Sequence, residues 1–169
     1  VMAMKKIDIK TLKENAVSLF DDSWCLITAG GEENYNTMTA SWGAMGELWN
    51  EDVCFIFIRP QRYTYEFTEK NDRFTLSFFT EEYKKALSFC GRYSGRDCDK
   101  AKETGLTPIP VDGSMSFKES RLTLVCEKLY YQDLDPKGFV DESLDGKNYA
   151  LKDYHRMYVG KIVSCYIEE

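Results

Sequence analysis

Two hydroxyl-bearing residues in the segment Asn36–Trp42 have a spacing that suits the binding of a phosphate group. Thr39 and Ser41 flank the small Ala40, so in a strand both hydroxyls would project to the same face. Hydroxyl groups on one face can donate to the oxygens of a single phosphate ester. The Thr-Ala-Ser pattern alone is more typical of an ordinary exposed strand face, and both interpretations stay open at this point.

Two arginines in the segment Arg59–Thr64 supply the positive charge that such a site needs. Arg59 and Arg62 lie on either side of a proline turn, and Arg62 comes just before a predicted helix. A guanidinium group and the N–H groups of a helix start form a strong anion site where they converge. The alternative is a surface loop whose arginines meet solvent or carboxylates, and the segment alone favours neither.

Aromatic residues beside both segments suit a flat ring at the other end of the same ligand. Trp42 follows the hydroxyls directly, Tyr63 follows the second arginine, and Phe78 and Phe79 could line another edge of the ring. An indole is more often core than ligand site, so Trp42 alone decides little. A phosphate site and a ring site together predict flavin mononucleotide (FMN) as the ligand.

Lys100 and His155 are further candidates. Lys100 ends the polar segment Ser94–Lys100 and could approach a ligand anion, although a capped surface helix explains the same residues equally well. His155 is the only histidine, which disfavours a metal site, and no Gly-x-Ser-x-Gly motif supports a hydrolase. A structural or ring-edge role is favoured over acid–base catalysis. Without a dinucleotide-binding or P-loop glycine motif, a nicotinamide dinucleotide would dock only as a transient substrate.

The composition indicates a globular chain, with 43% apolar and 14% aromatic residues among 169. We expect one domain that spans residues 1–169. The 22 Lys and Arg residues against 28 Asp and Glu give a net charge of -6, which disfavours a broad nucleic-acid surface. No apolar stretch approaches the roughly 20 residues needed to cross a bilayer, so we expect no membrane association.

The six cysteines include no Cys-x-x-Cys pair, which disfavours a zinc knuckle or a thioredoxin-type motif. The segment Val1–Lys10 has no apolar signal core. We therefore expect reduced, mostly buried thiols in a cytoplasmic protein, with disulfides as the alternative.

The pattern of short apolar runs and turn residues predicts a mainly β chain with a few short helices, typical of a decorated β-barrel. The run at 53–58 is apolar on both faces and predicts a central strand that Pro60 ends. Residues 135–153 are polar and rich in turns, which predicts a long loop or lid. The remaining predicted strands are 24–28, 36–41, 73–79, 120–133 and 157–167. The predicted helices are 9–20, 64–70, 80–90 and 98–104, the third capped by Thr80 and the fourth by Asp97.

In family order, five motifs resemble those of the flavin reductase-like, FMN-binding split-barrel proteins, which include the flavoredoxins. This resemblance covers roughly residues 24–163 and implies a six-stranded split β-barrel, a homodimer, and FMN near the subunit interface. The segment 135–153 does not fit the family pattern. The motifs are Asn36-x-x-Thr39-Ala40-Ser41-Trp42, Arg59-Pro60-x-Arg62-x-Thr64, Phe74-x-x-Ser77-Phe78, Ser94-Gly95-Arg96-Asp97-x-Asp99-Lys100, and His155 followed by Tyr158-x-Gly160-x-Ile162.

The resemblance also implies a role for each matching residue. Lys100 and His155 would close the site, either within one subunit or from the partner subunit. Ala40 would lie within the site, and Arg59 is a weaker candidate. The implied phosphate ligands are Thr39, Ser41, Arg62 and Thr64, and the implied ring neighbours are Asn36, Trp42, Ser77 and Phe78.

The implied function is an FMN-binding oxidoreductase that passes electrons from NAD(P)H to a flavin, a small acceptor or a redox-protein partner. Because the flavin itself does this chemistry, no catalytic acid or base is expected. One alternative is an electron carrier without substrate turnover. Another is a flavin-free barrel that binds a different phosphate-bearing ligand.

Overall fold

The computed structural model describes residues 4–169, so the first three residues of the segment Val1–Lys10 lie outside the described residues. Ten strands and several short helices confirm a mainly β fold. The strands are β1 Met4–Ile7, β2 Cys25–Gly31, β3 Asn34–Ala40, β4 Gly43–Leu48, β5 Glu51–Ile58, β6 Arg73–Phe78, β7 Pro108–Val111, β8 Ser114–Phe117, β9 Leu122–Asp133 and β10 Arg156–Glu168. The α-helices are α1 Ala16–Ser18, α2 Tyr63–Lys70, α3 Lys84–Arg92, α4 Lys100–Thr104 and α5 Ser143–Asn148.

The main sheet is built around the two longest strands. Its order is β3-β2-β6-β9-β10-β5-β4, and β1 also pairs with β10, which makes eight strands. The expected count of six strands is therefore not confirmed. One edge of β10 is shared between β5 and β1, and two register shifts against β9 bend the strand. The curved sheet encloses most of the apolar core.

Close packing across the curved sheet depends on Gly160 in β10. A Cβ atom there would lie 2.5 Å from the ring of Phe74 and 2.9 Å from Cβ of Cys126, so no larger residue fits without a shift. The predicted strand at 53–58 is confirmed as β5, which lies between β10 and β4. All six cysteines are free thiols, and five of them are buried.

A two-stranded hairpin, β7–β8, covers part of the main sheet beside β2 and β6. Its contact is polar as well as apolar: Ser116 Oγ lies 2.8 Å from Ser77 Oγ and 2.9 Å from Thr123 Oγ1. A second apolar cluster fills the space towards α3 and includes Leu87 and Phe117. Neither this hairpin nor β1 and β4 were expected from the sequence.

The predicted helices form, but the first is broken. In place of one helix at 9–20, the chain has a 3₁₀ turn at Ile9–Thr11, the short α1, and a π-helical turn at Leu19–Ser23. The π turn buries Leu19 and Phe20 in the core and ends at Trp24, whose φ is 63°. The backbone path here is therefore determined by the packing of these two side chains in the core. The helical spacing of apolar residues in the sequence does not determine it.

Two later helices differ from prediction mainly in their caps. Thr80 makes no capping bond and instead donates to Glu82, and a 3₁₀ turn precedes α3. Asp99, and not Asp97, caps α4 by accepting from the backbone N–H of Lys102 at 3.1 Å. Within residues 4–169, no helix combines the length and apolar character needed to span a membrane.

Candidate functional site

A buried hydrogen bond joins the first two predicted segments. Asn36 on β3 is 6% exposed, and its Nδ2 donates to Oγ1 of the fully buried Thr64 at 2.8 Å. Gly95 closes over this pair, because a Cβ there would lie 1.9 Å from Asn36 Oδ1. Segments distant in sequence thus meet at one point, and only glycine permits their close approach.

Lys100 brings a buried ammonium group to the same place. Its side chain is 5% exposed, and Nζ donates to the carbonyl oxygens of Thr37 at 2.7 Å and Cys90 at 2.8 Å. Its pKa is lowered to about 8, mainly by burial; Cys90 acts against this shift, and the positive charge of Arg62 adds to it. Two of its three N–H groups are engaged, so one remains for a ligand.

Arg62 has a different environment, since its guanidinium makes no ion pair or hydrogen bond with any of residues 4–169. Burial lowers the pKa of this half-buried side chain, and the positive charge of Arg59 lowers it further. Arg62 also stands at the N-cap of α2, where no side chain caps the helix. The helix start and the guanidinium therefore offer donors that an anion would satisfy.

These groups border one cavity of about 280 Å³. The cavity is lined by four cationic residues, Arg62, Arg92, Arg96 and Lys100, and by no carboxylate, which favours a phosphate group over a neutral ligand. The lining includes Asn36, Gln61, Arg62, Tyr63, Thr64, Ser94, Arg96 and Lys100.

Arg59 points elsewhere. Its guanidinium pairs with Asp153 at 2.9 Å, donates to the carbonyl of Asn148 at 3.0 Å, and lies 5.0 Å from the ring centre of Tyr149. The structure therefore does not join Arg59 to Arg62 as a phosphate fork. Its ion pair instead anchors the segment 135–153, which contains a 3₁₀ turn and α5 in place of the expected loop.

A second, more apolar region lies around Trp42. This side chain is 52% exposed, and its ring centre is 5.3 Å from that of the buried His155. Burial, together with the positive charge of Arg59, lowers the pKa of His155 to about 4, so the imidazole is neutral at neutral pH. Trp42 also borders an apolar cleft of about 570 Å³, whose other walls include Val17, Phe20, Ser41, Met45 and Phe57.

The sequence of residues 18–169 matches the family described as flavin reductase like domain. The chain belongs to this family. The resemblance noted from the motifs is thus confirmed, and no curated protein matches the chain.

Solved structures share the fold of this flavin reductase-like chain. A flavoredoxin from Methanosarcina acetivorans is 21% identical, with 87% of this chain and 69% of that chain covered and a TM-score of 0.67. An FMN-binding domain of a flavin reductases-like enzyme from Shewanella baltica is 14% identical, with coverage of 98% and 77% and a TM-score of 0.70. An FMN-binding protein from Thermus thermophilus is 20% identical, with coverage of 98% and 82% and a TM-score of 0.68.

In the flavin reductase-like chain, Thr39 and Ser41, which the sequence predicts to lie on one strand face, have different neighbours. Thr39 donates to the carbonyl oxygen of Leu87 on α3. The strand ends at Ala40, so Ser41 lies beyond it and borders the apolar cleft beside Trp42. Ala40 is half-buried, and its carbonyl oxygen accepts from Cys25 Sγ at 3.6 Å. Neither Thr39 nor Ser41 is among the residues that line the cavity at Arg62.

Two further predicted residues lie in the interior. Ser77 is fully buried, and its hydroxyl bonds to Ser116 of the hairpin. Phe78 is also fully buried and packs edge-on against Phe20, with 5.7 Å between ring centres. Alternation along β6 turns these side chains to opposite faces of the sheet, and neither is brought to the cavity at Arg62.

The sequence reasoning missed two residues beside His155. Tyr149 Oη lies 2.7 Å from His155 Nδ1, and Asp153 holds Arg59. The signal that could have found Tyr149 is the presence of aromatic residues, Phe139 and Tyr149, in a segment rich in polar and turn residues, whereas Asp153 had no such signal. Among residues 4–169, no group of three His, Cys, Asp or Glu side chains could hold a metal ion.

Proposed function

We propose that the chain binds FMN and acts as an oxidoreductase of the flavin reductase type. The observation that carries the proposal is the guanidinium of Arg62, which faces a cavity beside Lys100 and the uncapped start of α2 without a carboxylate partner. Membership of the flavin reductase-like family supports the choice of ligand. Three relatives of known structure include two named as FMN-binding and one named as a flavoredoxin.

The residues around the cavity fit the phosphate end of FMN. Arg62 and Lys100 supply charge, and the first N–H groups of α2 supply further donors. Asn36 holds Thr64 at the cavity wall through a 2.8 Å hydrogen bond. This set of donors suits a dianion and would leave a neutral ligand with unmatched cations.

The region around Trp42 fits the ring end. Its exposed indole offers an apolar face to a flat ring, and Ser41 and the neutral His155 provide polar groups at the edge. When bound, FMN would supply hydride acceptance and electron transfer, while the protein orients the ring and sets its surroundings. The apolar cleft on the other side of Trp42 gives a donor or an acceptor room to approach.

The further parts of the proposal concern partners. We propose NAD(P)H as a transient electron donor and a flavin, a small molecule or a redox protein as acceptor. We also propose one domain over residues 1–169, a homodimer with FMN near the interface, and a cytoplasmic location. The half-exposed Trp42 and the open cleft beside it are consistent with a site that a second subunit completes.

The first test is an absorption spectrum of the purified protein after FMN is added and the sample is desalted. We expect retained flavin bands, followed by oxidation of NADH or NADPH when free flavin is supplied. Retained FMN with negligible oxidation would identify the carrier alternative. Loss of all flavin on desalting would instead support a barrel that binds another phosphate-bearing ligand.

A further inference from the structure

A buried hydrogen-bonded pair lies beside the proposed ring site. Tyr149 and His155 are 6% and 8% exposed, and Tyr149 Oη is 2.7 Å from His155 Nδ1. The two rings meet edge-on with 5.5 Å between their centres. Because Trp42 packs on the same imidazole, the pair connects the segment 135–153 to the ring site.

The protonation states of the pair determine which atom donates. Burial raises the pKa of the Tyr149 phenol, so it keeps its proton at neutral pH. His155 is neutral, because burial lowers its pKa to about 4, and therefore has one N–H and one acceptor nitrogen. The backbone N–H of His155 also acts on the phenol oxygen as a donor and opposes the rise in the pKa of the phenol, so the phenol oxygen has an acceptor role besides its contact with Nδ1. With that oxygen already accepting a hydrogen bond, the phenol O–H is the group free to donate to Nδ1, an arrangement that places the imidazole proton on Nε2.

The other imidazole nitrogen faces space that solvent reaches. In the part of the chain that the structure describes, Ser114 Oγ is the one fully buried side-chain oxygen or nitrogen without a partner. His155 Nε2 bonds to none of residues 4–169 either, so it is not fully buried. Nε2 is thus partly accessible, on an imidazole whose ring centre lies 5.3 Å from that of Trp42.

We propose that Tyr149 is a positioning residue that fixes the Nε2–H form of His155 and presents this N–H to an acceptor atom of a flat ring at Trp42. The acceptor is a carbonyl oxygen or an unprotonated ring nitrogen. That this ring belongs to FMN rests on the proposed function.

The environment of Tyr149 holds the phenol in place. Its ring stacks at 4.8 Å from that of Tyr154, and Phe139 packs at 6.1 Å. Arg59 covers Tyr149 at 5.0 Å while it pairs with Asp153. The segment 135–153 thus positions His155 through Tyr149. It supplies no residue that contacts the bound ring directly.

The test is nitrogen-15 NMR of the imidazole, which is unambiguous because the chain has one histidine. The wild-type protein should show a protonated Nε2 and an unprotonated Nδ1 at neutral pH. Tyr149→Phe should show a mixture of the two neutral forms. Tyr154→Phe is the matched control, because that phenol donates to Asp145 and not to His155, and should keep the wild-type pattern. A wild-type proton on Nδ1, or an unchanged Tyr149→Phe spectrum, would overturn the proposal.

The second readout is FMN affinity. Tyr149→Phe should bind FMN roughly twofold to tenfold more weakly, the range set by one neutral hydrogen bond, while Tyr154→Phe should match the wild type. Equal affinity and an equal flavin spectrum for all three proteins would overturn the link from Tyr149 to the ring. If none of them retains FMN, the proposed function fails, whereas the NMR result still decides the form of His155.

Discussion

The two ends of the proposed site are built in different ways. At the phosphate end, Asn36, Thr64 and Lys100 are held by hydrogen bonds between regular elements, while Arg62 has no carboxylate partner among residues 4–169. At the ring end, Arg59 is already paired with Asp153, and the contacts are mainly between aromatic rings. The phosphate end therefore has a cation without a carboxylate partner. The ring end has an arginine that is already paired and a surface of aromatic side chains.

This difference separates affinity from selectivity. Unpaired cations in a half-buried cavity gain most from an incoming anion, so the phosphate end should provide much of the binding free energy. The ring end depends on Trp42, His155 and the segment 135–153. We infer that changes there alter the spectrum and the choice of substrate more than the affinity.

The largest effect is expected from Arg62→Ala. Loss of a charge-assisted contact should weaken FMN binding by about 1.5–3 kcal/mol. Fluorescence titration of the apoprotein measures this change. Arg121→Ala is the control, because Arg121 is paired with Glu14 and lies outside the cavity. Unchanged affinity in Arg62→Ala would remove this residue from the phosphate site.

Gly95→Ala tests the packing that brings the phosphate end together. The added Cβ would lie 1.9 Å from Asn36 Oδ1, so the hydrogen bond to Thr64 must break or the backbone must move. We expect a loss of about 1–3 kcal/mol in the free energy of unfolding, together with weaker FMN binding. Urea unfolding measures the first quantity. Gly46→Ala has nothing within 4 Å of the added atom and should change neither, and equal behaviour of the two variants would contradict the account.

The pKa of Lys100 predicts a pH dependence of binding. Since this pKa is about 8 in the free protein, the ammonium is charged below that pH and is lost as the pH rises through it. FMN affinity should therefore fall above about pH 8, by at most about tenfold per pH unit for one proton. A bound phosphate raises the pKa, so binding near pH 8 should take up protons.

Calorimetry at pH 8 in two buffers with different ionisation enthalpies measures this uptake. Lys100→Met should abolish it. Equal uptake in that variant would assign the proton to another group.

The smallest effect on affinity is expected from Arg59→Ala. Its guanidinium anchors Asp153 and Asn148, so FMN affinity should change by less than about 0.5 kcal/mol. Faster amide hydrogen exchange across 135–153 should reveal the loosened segment. A loss of affinity as large as that of Arg62→Ala would show that the two ends are not distinct.

The sequence predicts the interior strands well because apolar runs such as 53–58 have few alternatives. It misses β4, whose Gly43 and Gly46 have poor strand propensity and which forms by pairing with β5. The hairpin β7–β8 was missed because Pro108 and Pro110 argue against a strand. The turn Asp112-Gly113, with φ of 43° and 83°, was the signal that could have found it.

The sequence predicts the site incompletely, because the spacing of neighbouring residues does not show their contacts with residues distant in the chain. Arg59 and Arg62 look alike around the same proline, and only the distant Asp153 makes one of them a structural ion pair. Asn36, Thr64 and Lys100 meet at the cavity of Arg62, although the resemblance implied Asn36 as a neighbour of the ring and not of the phosphate. Ser77 was predicted from its motif, but its hydroxyl turns towards the hairpin that the sequence reasoning had not found.

The most direct test compares FMN with riboflavin, which lacks the phosphate, in the wild type and in Arg62→Ala. We expect the wild type to bind FMN at least about tenfold more tightly, as an ion-paired phosphate should provide more than 1.4 kcal/mol. Most of this preference should vanish in Arg62→Ala, with riboflavin affinity unchanged. Equal affinity for both ligands in the wild type, or an equal loss for both in the variant, would contradict a phosphate site at Arg62.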